Sequence, residues 1–122
     1  MMAGPPLDPA EVAAALESCL AAVDAGAAPS VADLRLAVRG TLRAFAGRVP
    51  GHSVEVRVPP YAAVQCIEGP RHTRGTPRAV VETDAMTWLL LVSGRRQFAD
   101  AVAAGTVRAS GERSDLTPYL SR

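Results

Sequence analysis

The chain has 122 residues, 48% of them hydrophobic and 20% charged, a length and balance that fit one small domain and exclude a disordered tail. Its 13 basic residues, all Arg, nearly cancel 12 acidic ones, and only 4% of residues are aromatic, which argues against a nucleic-acid binder. Among apolar residues 23 Ala and 14 Val stand against 11 Leu and one Ile, so a core must be built mostly from Val and Leu spaced by Ala.

After a loose arm over residues 1–7, Asp8-Pro9-Ala10-Glu11 reads as a helix start, with Asp8 as N-cap and Pro9 in the first turn. Val12, Leu16, Cys19, Leu20 and Val23 follow at helical spacing, and Gly26 suits the stop. Ser30 opens a second helix, in which Leu34, Val38, Leu42 and Phe45 form an apolar stripe that ends near Gly47. Arg35, Arg39 and Arg43 form a matching row on another face, readable as a solvated face or as a surface for an acidic protein partner. The period then changes: Val54, Val56 and Val58 alternate with Glu55 and Arg57, as in a strand with one buried face. Pro59-Pro60 interrupt it, and Tyr61 to Glu68 form a second candidate strand, antiparallel to the first. Residues 69–78 are a loop by composition, and Ala79 to Glu82 is a short third strand. Thr83 or Asp84 caps a helix running through Met86, Leu89, Leu90 and Val92 to Gly94. A shorter helix carries Phe98, Ala101 and Val102 to Gly105, Val107 to Ser110 is a last strand, and Ser114-Asp115-Leu116 opens a terminal helical turn. The expected fold class is therefore α+β in a single domain over residues 1–122, with helices packed on one face of a small, mainly antiparallel sheet.

The chemistry is sparse. There is no Gly-x-Ser-x-Gly elbow, Walker-type phosphate loop or dinucleotide fingerprint. His52 and His72 have no Cys or carboxylate at zinc-ligand spacing, so neither a metal nor another cofactor is expected. Cys19 and Cys66 sit in apolar surroundings and read as reduced, buried small hydrophobes. The start of the chain lacks the pattern of a signal peptide, and the apolar run Trp88 to Val92 is too short to cross a bilayer, so a cytoplasmic location is expected. One cluster stands out: Arg71, His72, Arg74 and Arg78 share a Gly/Pro-rich loop that either holds a carboxylate or phosphate or pairs with Glu55, Glu68 or Glu82. A Cys66–His72 thiolate–imidazole pair is a third option there. The large side chains Met86, Trp88, Leu89, Leu90, Phe98 and Val102 either fill a core or line a ligand wall.

The block from Val80 through Gly94-Arg95, continued by the helix–Gly–strand–Gly run Phe98 to Gly111, resembles the sterol carrier protein superfamily. Val54 to Tyr61 and Gly69 to Pro77 look like the corresponding blocks of small bacterial members. The resemblance implies helices that cover one sheet face and enclose an apolar tunnel for a lipid, sterol-like or fatty acyl ligand, with no covalent chemistry. On this sequence it assigns the apolar wall to Met86, Leu89, Leu90, Phe98, Val102, Leu116, Tyr119 and Leu120, and a polar head site to Arg57, His72 and Arg74. Similar domains are also fused to thiol-dependent isomerases, which implies an alternative accessory or catalytic role for the Arg57, Cys66, His72 and Arg74 region.

Overall fold

A computed structural model of the protein describes residues 6–69 and 79–120. Helix α1 (Pro9–Asp24) starts where Asp8 accepts the Ala10 N–H at 2.9 Å, with Pro9 at a position that needs no N–H. Helix α2 (Val31–Arg48) is capped by Ser30, whose hydroxyl accepts the Asp33 N–H at 3.1 Å. Small residues let the two helices approach closely. Ala15 and Cys19 of α1 and Ala37 and Gly40 of α2 are buried, and a Cβ added at Gly40 would lie 2.4 Å from a Val12 methyl group. Part of the Ala-rich composition thus becomes a tight helix pair.

Strand β1 (Val54–Val58) turns through Pro59-Pro60, joined by a cis bond, into the antiparallel β2 (Ala62–Cys66). β2 is shorter than the 61–68 run its sequence suggests, because Ile67 leaves the strand at φ 68°. There the Ile67 N–H donates to the Val49 carbonyl at 2.7 Å, and the Ile67 carbonyl accepts from the Ser53 N–H and hydroxyl at 3.0 and 2.6 Å. Strand β3 (Ala79–Thr83) runs parallel to β1, and β4 (Val107–Ser110) antiparallel to β3, giving the order β2-β1-β3-β4. The fold is α+β, with a mixed sheet in which two of the three pairings are antiparallel.

Alternation decides what each sheet face does. Val54, Val56, Val58, Val64, Cys66, Val81 and Val107 are buried in the core, each buried Val contributing about 1.5–3 kcal/mol. Helix α3 (Ala85–Val92), capped by Asp84 through the Thr87 N–H at 2.9 Å, drives Trp88 into the centre. Trp88 meets Phe45 of α2 edge-on at 5.5 Å and 89°, and its Nε1–H donates to the Thr41 hydroxyl at 2.9 Å. Helix α4 (Phe98–Ala103) packs on β4, and the terminal turn α5 (Thr117–Leu120) follows the fully buried Leu116.

Candidate functional site

Two grooves flank Phe98. The first, about 290 Å³, is lined by Leu91, Val92, Phe98 and Leu120 together with Ser93, Arg96, Gln97 and Thr117. The second, about 390 Å³, lies where α4 meets β4 and is lined by Phe98, Ala99, Val102, Ala103 and Ala109, with Ser114, Asp115 and Thr117 at one side. Phe98 and Thr117 belong to both. Val102 is 40% exposed, one of the few large apolar side chains among the described residues that stay open to solvent.

Local structure explains this layout. Gly94, at φ 78°, ends α3, and the Arg95 N–H closes back on the Leu90 carbonyl at 2.9 Å. The chain leaves that turn with Arg95 bound to Asp24 of α1 at 2.8 Å and with Arg96 half-buried in the first groove. No side-chain partner of Arg96 occurs among the described residues. On the other side, hydrogen bonds from the Thr117 hydroxyl and backbone N–H hold the Asp115 carboxyl below its ordinary value. Among the described residues, Arg96 is thus the charged residue of the first groove and Asp115 that of the second.

The residues expected from the sequence divide among three places. Phe98, Val102 and Leu120 line the grooves, joined by Leu91 and Val92. Leu89 and Leu116 have no exposed surface and belong to the packed core, while Met86 and Tyr119 are half-buried and pack against it. Leu90 is half-buried, and its carbonyl serves the α3 stop. Arg57 lies on the opposite sheet face, with its Nε–H donating to Glu55 at 2.9 Å and a longer ion pair to Glu82 at 3.9 Å. Glu82 also binds Arg108. The sheet therefore separates Arg57 from the grooves. His72 and Arg74 lie outside the described residues. In the arginine row of α2, Arg35 is exposed and Arg39 and Arg43 are half-buried.

Cys66 is fully buried beside the Val54 carbonyl at 3.7 Å, and desolvation pushes its thiol up to about 11. A catalytic thiol needs the opposite environment, electropositive and partly exposed. Burial also raises Cys19, and both cysteines are free. Among the described residues no group of three or more His, Cys, Asp or Glu is placed to hold a metal, and no helix is long and apolar enough to cross a membrane.

A family model described as the bacterial SCP ortholog matches residues 30–121. The chain belongs to this sterol carrier protein-like family. The match begins at Ser30, the N-cap of α2, and takes in every element that lines the grooves, while α1 precedes it. No curated protein matches the chain. Membership suggests a lipid-binding carrier domain, a class that is generally non-catalytic.

Proposed function

We propose that the protein is a non-catalytic carrier or binding module for a hydrophobic or amphipathic small molecule, whether lipid, sterol-like or fatty acyl, held against Phe98. The observation that carries this reading is the apolar groove between α4 and β4, which leaves Val102 open in a sterol carrier protein-like chain. Ligand pockets are concave and mostly apolar, with a few polar groups that orient the occupant. Phe98, Val102, Ala109, Leu91 and Leu120 supply such a wall, and Ser93, Gln97, Thr117 and Arg96 supply the polar groups. Affinity would come from covering apolar surface, about 25 cal/mol for each Å² removed from water. We place this work in the cytoplasm, in keeping with the reduced, buried cysteines.

Native mass spectrometry of the purified protein, followed by displacement of a fluorescent fatty acid, tests the reading. A co-purified lipid, or saturable displacement at one site per chain, is the expected result. A protein that carries no lipid and shows no saturable uptake of fatty acid, alcohol or sterol probes contradicts it.

A further inference from the structure

We propose that Arg96 recognises the head of the ligand, and that the ligand is a single-chain amphiphile with a carboxylate head in the first groove and a tail running past Phe98 into the second. This rests on the carrier reading above and adds to it a ligand class, a head-group residue and a direction.

The first support is the position of Arg96. The turn at Gly94 delivers two consecutive guanidinium groups, and Asp24 holds Arg95 at 2.8 Å. Arg96 is left half-buried against the apolar wall of Leu91, Val92, Phe98 and Leu120, without a side-chain partner among the described residues. A partly desolvated guanidinium without a counter-charge gains most from a planar carboxylate that accepts two parallel hydrogen bonds. Gln97, beside it on the same groove, adds an amide donor. Arg57 and Arg108 are already engaged, bound to Glu55 and Glu82 on the far side of the sheet.

The second support is the opposite charge of the two grooves. Asp115 stands in the second groove, fixed by its hydrogen bonds with Thr117, and would repel an anionic head. Among the described residues no acidic one lines the first. An anion therefore has one favourable end and one unfavourable end, with the ring of Phe98 between them. Volumes of about 290 and 390 Å³ lie at the small end of ligand pockets, and two such spaces sharing Phe98 and Thr117 suit a slender chain better than a broad one.

The test compares dodecanoate with dodecanol by isothermal titration at pH 8, on the wild-type chain and on Arg96→Gln and Arg96→Lys, with thermal unfolding as a control. Charge-assisted hydrogen bonds predict that the wild type binds the acid about tenfold or more tighter than the alcohol. Arg96→Gln removes this preference by weakening the acid about tenfold or more and the alcohol much less, and Arg96→Lys keeps part of it. Equal affinity of the wild type for acid and alcohol overturns the head-group assignment and leaves the carrier reading standing. Equal weakening of both probes by Arg96→Gln shows a structural role for Arg96 and also overturns it. Binding of neither probe overturns the assignment, and the carrier reading falls with it only if sterol probes and co-purified lipid are absent as well.

Discussion

Replacing Val102 by Gln should weaken ligand binding steeply while leaving the fold intact. Complete burial of a Val side chain is worth about 1.5–3 kcal/mol, and Val102 still shows 40% of its surface to solvent, so a ligand that covers it gains about 0.6–1.2 kcal/mol there. Gln forfeits that contact and brings an amide that would be stripped of water in the apolar groove, a cost of about 1–3 kcal/mol. Together these amount to about 1.6–4.2 kcal/mol and weaken binding by roughly 15-fold or more. The folded protein loses little, because Val102 is an exposed position of α4 and Gln is a better helix former than Val. Stability should therefore stay within about 0.5 kcal/mol of wild type. Fluorescent fatty-acid displacement measures the first effect and urea unfolding the second. Unchanged affinity with unchanged stability would refute the assignment of the second groove as a binding surface.

Other consequences concern the frame that holds the grooves. Thr41→Val leaves the buried Trp88 indole N–H without its acceptor and should cost about 1–3 kcal/mol, read by urea unfolding followed through the fluorescence of this single Trp. Gly51→Ala should destabilise by more than ~3 kcal/mol, because φ is +148° and the new Cβ would meet the Ile67 carbonyl at 2.2 Å. Gly47→Ala, in α2 with open space around it, should instead stabilise by about 0.5–1 kcal/mol; calorimetry of both variants checks the contrast. Cys66 should resist thiol reagents at pH 8 in the native state and react on unfolding. Because its thiol keeps its proton up to about 11 when folded but loses it near 9 when unfolded, the unfolded chain binds fewer protons between these values. Stability should thus fall as pH rises from about 9 to 11, by about 2–3 kcal/mol from this group, and Cys66→Ala should lack that component.

Local rules carried most of the architecture. Asp8, Ser30 and Asp84 cap the helices that their positions predict, and the alternating valines of β1 face the core. The parallel pairing of β3 with β1 joins residues 25 positions apart, and no local pattern encodes such a partner. The apolar positions of α3 show a similar limit. Leu89, Leu90 and Leu91 follow one another, yet Leu89 and Leu91 are buried in the core, Leu91 at the edge of a groove, while Leu90 is half-buried, a difference set by what packs against each side of the helix. The alternation of β1 already fixes the face of Arg57: Val56 and Val58 are buried, so the residue between them points the other way. Arg96 carries a weaker signal. Its sequence signal is only an arginine pair after a helix-stopping glycine, and the end of α1 decides which member Asp24 takes.

The central claim, that the grooves around Phe98 take up the ligand, is tested most directly by following backbone amide resonances during titration with a single-chain fatty acid. Saturable shifts centred on Phe98, Val102, Ala109 and Thr117, with Glu55, Arg57 and Arg108 silent, are the predicted result. Shifts centred on the opposite sheet face, or no saturable shifts at all, would contradict it.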